Sequence, residues 1–362
     1  MSDAASNQTP SFSSNGEEEL RFIRNFHDVF LSMGLGMLIF GIALASSLIG
    51  GNLIIGSAGS NIVGLTQSAA VTAALIAFVD AAIVWGLAEV FARSRRLFLP
   101  AIVILLGFVS FFAAGATSAY LATLNLSDIG DFDSATLQFR TMILVYAAAA
   151  TIATFAYYVR MKLPFAMGLF GASLAATGVA AAAIAVPSLL TDHLLMVFFL
   201  SGVFLFLLGV VYDAQDPERR TRISDNGFWL HFFAAPLIFF SVTRMVAGDG
   251  GPAGGGTAAA TATLAIVVLF AIISLLINRR ALLVSGLISA AIAVWVLVSE
   301  TGIDGAWTGA ATLLILGGAM VLLGGGWHST RRLLVGGLPK DGLIARIIPP
   351  ETGPNPRDQV IG

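Results

Sequence analysis

LIAFVDAAIVWGLAEVFARSRR, residues 75–96, decides how the rest of the chain is read. Its apolar run is long enough for a helix to cross about 30 Å of hydrocarbon, and it closes on three arginines, as a membrane span does where it meets headgroups and water. Asp80 lies 11 residues before Phe91, so a rise of ~1.5 Å per residue places it about 16 Å deep, at the bilayer midplane. An aspartate there must face other helices or a watery cavity, because an exposed charge in lipid costs several kcal/mol.

The same pattern repeats along the chain. Of 362 residues, 57% are hydrophobic and only 11% charged, and the mean hydropathy is +0.88, more apolar surface than a soluble fold of this size hides from water. Apolar runs near 30–50, 69–91, 101–124, 141–159, 165–187, 194–212, 227–246, 259–278, 282–299 and 308–327 predict an all-α membrane protein, a polytopic bundle of ten transmembrane helices. Residues 1–16 read as a disordered polar tail and 17–29 as an amphipathic helix in the interface. The ten-helix domain then fills 30–327, and 328–362 form a C-terminal tail. No room remains for a separate soluble domain, and the lipid bilayer is the first partner the composition implies.

Orientation follows from the basic residues. With the N-terminus inside, 17 of the 19 Lys and Arg fall on the inner side, leaving only Arg140 and Arg244 outside. Both termini are therefore expected in the cytoplasm. One missed or invented helix would swap every later loop and destroy this asymmetry, so the charge count also supports the span count. Three spans open alike, with RRLFLPAIVILL, RMKLPFAMGLF and NRRALLVSGLI, which fits either duplicated two-helix units or the ~60 residues that two spans and two loops occupy anyway.

The candidate residues are few. Asp80 reads either as a cation or proton site in a transport path, or as a hydrogen-bonded anchor to a Ser, Thr or Tyr of a neighbouring helix. Ala70, Ala73, Ala77 and Ala81 run beside it as a small-residue stripe, and no Lys or Arg sits mid-span to pair with it. Glu89 has Arg93 four residues later, the orientation of a helical ion pair, and is half a turn of rotation away from Asp80. His231 enters the membrane about one turn after Ser224, Asp225 and Asn226, any of which can cap the seventh span; Trp229 is expected in the aromatic belt, and Pro236 weakens the helix downstream. The histidine has three readings: an interfacial hydrogen bond, a proton relay, or a contact to an anionic headgroup. Arg244 is expected to snorkel outward and meet Asp249, and GDGGPAGGGT (248–257) to be a flexible outer loop. Gly171, Ala175, Gly178 and Ala182, and the glycines Gly317, Gly318 and Gly324 to Gly326, predict close helix packing.

Other chemistry is poorly represented. There is no cysteine, and His27, His193, His231 and His328 have no metal-ligand spacing, so no metal or cofactor is expected. Asp128, Asp131 and Asp133 lack the Gly and distal Glu of a calcium loop. A net charge of −2 gives no sign of a nucleic-acid partner. No nucleophile, base and orienting group cluster in the sequence, so an enzyme is not the expectation.

Three stretches, WGLAEVFARSRRLFLPAIV (85–103), DPERRTRISDNGFWLHFFAAPLI (216–238) and GGWHSTRRLLVGGLP (325–339), resemble patterns of proteobacterial multi-pass inner-membrane proteins of unknown function. The resemblance implies a bacterial source and an inner-membrane location and carries no site residue with it. The expected function is movement or binding of a small solute or ion at Asp80. The alternative is a non-transporting membrane scaffold or sensor accessory protein whose cytoplasmic segments meet a partner.

Overall fold

A computed structural model describes residues 26–56, 62–124, 132–216, 222–248, 250–303, 305–339, 342 and 347–348. All regular structure among them is helical: α1 (Phe26–Gly56), α2 (Ile62–Ala88) continued by a π-helical segment (Glu89–Ser94), α3 (Phe98–Leu121), α4 (Phe132–Met161), α5 (Pro164–Ala185), the single turn α6 (Leu189–Asp192), α7 (Leu194–Gln215), α8 (Arg222–Ala247), the single turn α9 (Gly251–Gly254), α10 (Gly256–Ile277), α11 (Ala281–Ser299), α12 (Gly305–Gly325) and α13 (Trp327–Val335). Ten of these are long and apolar enough to cross a membrane, and each coincides with one expected span. The protein is an all-α, multi-pass integral membrane protein.

Most helices extend beyond their apolar run by a few residues, as with Gln67–Ser94 for 69–91 and Thr136–Met161 for 141–159, because polar residues of the interface continue the same hydrogen-bond ladder. The helices are apolar on nearly every face. Phe40, Ile288 and Leu322 stand 71%, 75% and 76% exposed, positions that lipid covers.

Helices pair as antiparallel neighbours: α2 with α3, α4 with α5, α7 with α8, and α10 with α11. The first two pairs share a core around Val84, Ile104, Leu105 and Tyr157, where Trp85 and Phe108 meet at 4.9 Å and the Tyr157 hydroxyl donates to the Ala101 carbonyl at 3.0 Å. α8 is the hub of the second half and packs on α5, α7, α10 and α11. α1 lies against α2 and α3 at one edge, and α12 against α11 at the other.

Glycines explain the closeness around α8. A Cβ on Gly168 falls 2.8 Å from Trp229 Cβ, one on Gly171 2.8 Å from Leu230 Cδ2, and one on Gly202 2.6 Å from Ile238 Cγ1. The expectation for the other glycines fails. Gly178, Gly317, Gly318, Gly324 and Gly325 have open space where a Cβ would stand, because the far end of α5 and the length of α12 present those positions away from the bundle. Pro236 does not break α8, which runs unbroken through it.

At one end of the bundle, α2, α4 and α10 each close on a residue in the left-handed region: Arg96 (φ 53°), Lys162 (φ 54°) and Asn278 (φ 53°). The next helix starts two or three residues later, and this shared turn accounts for the likeness of the three span openings. This end carries most of the chain's arginines and is called the basic end below.

Of the remaining expectations, residues 1–25, and with them the tail and most of the interfacial helix, lie outside the described residues, as do Asp128, Asp131, Pro217 and Asp249. Phe26–Val29 form the first turn of α1, and Asp133 is exposed in the first turn of α4. Asp216 follows the last residue of α7 as its C-cap. In the glycine-rich segment after Gly248, Gly251–Gly254 form the single turn α9. Arg244 places its guanidinium over Phe240, 5.4 Å from the ring centroid. Within the segment expected as the C-terminal tail, α13 docks on α10 and α12 through Trp327, Arg331 and Val335.

Candidate functional site

Two buried carboxylates define the candidate sites. Asp80 is 4% exposed on the inward face of α2, with Ala81, Val84 and Ala88 buried on the same side. The Ser46 hydroxyl of α1 donates to Asp80 Oδ1 at 2.8 Å. Among the described residues Asp80 forms no ion pair. Of its alanine stripe, Ala81 is buried and Ala77 half-buried, while Ala73 faces outward.

The second carboxylate, Asp213 in the last turn of α7, anchors a cluster at the basic end. Arg279, in the turn after α10, donates through Nε to Asp213 Oδ2 at 3.1 Å and through Nη2 to Oδ1. The same Nη2 donates to the carbonyl and the hydroxyl of Ser224 in α8, each at 2.9 Å. His231, one helical face further along α8, brings Nε2 to 3.1 Å from Asp213 Oδ2. Asp213, Ser224, His231 and Arg279 are all under 8% exposed. Three helices are thus joined through one carboxylate.

Local sequence makes room for the cluster. In the antiparallel α7–α8 pair, Gly209 stands opposite His231 and Gly227 opposite Asp213. A Cβ on Gly209 would lie 2.8 Å from His231 Cε1, and one on Gly227 would collide with Asp213 Oδ1. Each glycine sits four residues before the polar group of its own helix, Gly209 before Asp213 and Gly227 before His231. That reciprocal spacing was a signal available in the sequence. Phe206 closes the remaining side, edge-on to the imidazole at 4.9 Å.

His231 is fully buried, which rules out the headgroup contact among its three readings and leaves hydrogen bonding or proton exchange within the cluster. Ser224, Asp225 and Asn226 do not cap α8, which is already helical at Arg222. Instead Ser224 receives Arg279, and Asn226 Nδ2 donates to Tyr158 Oη of α4 at 2.9 Å. Trp229 is half-buried and packs against the Phe165 ring at 4.7 Å. Gly168 of α5 lets the α8 backbone at Trp229 come this close.

Glu89 opens the π-helical segment and accepts from Arg93 Nη1 at 3.0 Å, the expected ion pair. It also accepts from Arg160 of α4, through Nε at 2.7 Å and Nη2 at 3.3 Å, a partner 71 residues away that no local pattern announces. Asp80 turns to α1 and Glu89 to α4, so the two carboxylates do face apart.

No family model, no curated protein and no solved structure matches this chain. The chemistry must therefore be read from the side chains. Among the described residues no group of three or more His, Asp or Glu is placed to hold a metal ion. Asp213 has its counter-charge within the protein. Asp80 has the Ser46 hydroxyl and, among the described residues, no cation beside it.

Proposed function

We propose that this membrane protein binds and moves a small cationic solute, an inorganic cation or protons through a site at Asp80. One observation carries the reading: a buried carboxylate in the middle of a span whose partner is the neutral Ser46 hydroxyl. An anion in that setting is costly until a proton or a cation joins it, and such residues mark ion pathways in membrane proteins. Ser46 supplies a second oxygen beside the carboxylate. The basic end is read as cytoplasmic and the membrane as a bacterial inner membrane, from the distribution of Lys and Arg and the pattern resemblance.

Flux into liposomes tests this. Protein reconstituted at known density is assayed for H⁺, Na⁺ and K⁺ entry with fluorescent indicators, beside Asp80→Asn and empty liposomes. The expected result is flux of at least one of these ions that drops tenfold or more in Asp80→Asn. Wild-type liposomes no faster than empty ones for all three would remove the reading for inorganic ions.

A second reading is favoured by the Ser46–Asp80 hydrogen bond itself. In a non-transporting scaffold or sensor accessory protein, that bond holds the edge helix α1 to α2. Asp80→Leu then lowers the unfolding temperature sharply and leaves no flux to lose.

A further inference from the structure

Away from both carboxylate centres, two neighbouring turns at the basic end are built alike. After the π-helical segment, Arg96 is left-handed and Leu97 extended (φ −79°, ψ 126°); after α4, Lys162 is left-handed and Leu163 extended (φ −84°, ψ 120°). Each turn lays a cation over an aromatic ring four residues earlier: Arg95 over Phe91 at 5.6 Å and Lys162 over Tyr158 at 5.9 Å. Glycine or asparagine adopts the left-handed conformation at lower cost, and the third such turn uses Asn278. Here the position holds Arg and Lys instead.

Glu89 ties the two turns together. Its Oε2 accepts from both Arg93 Nη1 and Arg160 Nη2, so two guanidinium groups converge on one oxygen. Their side chains remain 49% and 45% exposed, with further N–H donors directed elsewhere. Arg93 and Arg160 thus meet at Glu89, Arg95, Arg96 and Lys162 stand in the two turns beside them, and all five are exposed. On the outer face of α4, Ile152, Phe155 and Val159 form an exposed apolar stripe that leads to Arg160.

We propose that the two turns form a binding site for the phosphate of an anionic phospholipid, with its acyl chains along Ile152, Phe155 and Val159. Guanidinium groups fit phosphate oxygens through paired N–H donors, and Glu89 fixes two of them in advance. The apolar stripe running into the cations selects a lipid over a soluble phosphate ester. A site at this junction would also hold α2 to α4 through the ligand.

Thermal unfolding of the full-length protein in neutral detergent tests the site. Phosphatidylglycerol is added and compared with phosphatidylcholine and with soluble glycerol phosphate. Phosphatidylglycerol is expected to raise the unfolding temperature by several degrees, since a ligand that binds only the folded state stabilises it. The triple variant Arg95→Gln/Arg96→Gln/Lys162→Gln is expected to lose more than half of that shift. Arg332→Gln, an exposed cation of α13 at the same end, is expected to retain it. The pair Arg96→Gly/Lys162→Gly removes two cations while relaxing the backbone; it is expected to unfold no earlier than wild type without lipid and still to lose part of the shift. An equal shift with phosphatidylcholine, a full shift in the triple variant, or an equal loss in Arg332→Gln overturns the proposal. A full shift from glycerol phosphate alone overturns the lipid as its occupant.

Discussion

Asp80 and Asp213 are buried to nearly the same degree, 4% and 7% exposed, in helices of similar composition, and their surroundings are opposite. Asp213 sits in the last turn of α7 with Arg279 on both of its oxygens, His231 beside it, and Ser224 holding the guanidinium from behind. Asp80 sits at mid-span with the Ser46 hydroxyl. The difference teaches that burial alone does not say what an intramembrane acid is for. A carboxylate whose charge is balanced by the protein is part of the structure's closure; one without a counter-charge carries the proposed site.

The largest test of this contrast is Arg279→Met. It leaves Asp213 buried without its cation, and loss of one partner of a buried ion pair costs about 3–5 kcal/mol. Unfolding in detergent should register this as a severe loss, with Arg279→Lys restoring part of it. Next comes Gly227→Ala, whose Cβ meets the Asp213 carboxylate and should cost about 1–3 kcal/mol by overpacking. Gly209→Ala should cost a similar amount, because its Cβ would press on the buried His231 ring at 2.8 Å. At Asp80 the expectation reverses: Asp80→Leu should unfold at or above the wild-type temperature, because an acid without a counter-charge is replaced by an apolar side chain. If Asp80→Leu is as damaging as Arg279→Met, the contrast collapses and Asp80 is an anchor. Ser46→Ala sharpens the same point at about 0.5–1.5 kcal/mol, the net worth of one hydrogen bond. The smallest effect belongs to Glu89→Gln, whose ion pairs are half-exposed; its stability should differ from wild type only at low salt and converge with it at high salt.

His231 shows how far local reading reaches. Its place near the start of the span was read from its distance to Ser224. Its partner was not, because Asp213 lies 18 residues earlier, on the preceding helix. Arg279 counted only toward orientation, although its neighbour Asn278 ends α10 in the left-handed region and so redirects the chain at this point. The glycines make the same distinction. Gly171 packs against Leu230 and Leu205, while Gly317 and Gly318, equally suited by composition, meet nothing.

The sequence by itself determined the ten spans, the basic end and the position of Asp80 along its span. Backbone N–H and C=O groups in hydrocarbon must pair within their own segment, so a long apolar run has little choice but helix. Only the tertiary structure decided which helices meet: the Asp213–Arg279 and Glu89–Arg160 pairs join residues 66 and 71 positions apart. The reason is the solvent. Lipid and protein interior are almost equally apolar, so a span needs no distinct inward stripe, and its sequence does not record which face, or which neighbour, it will have.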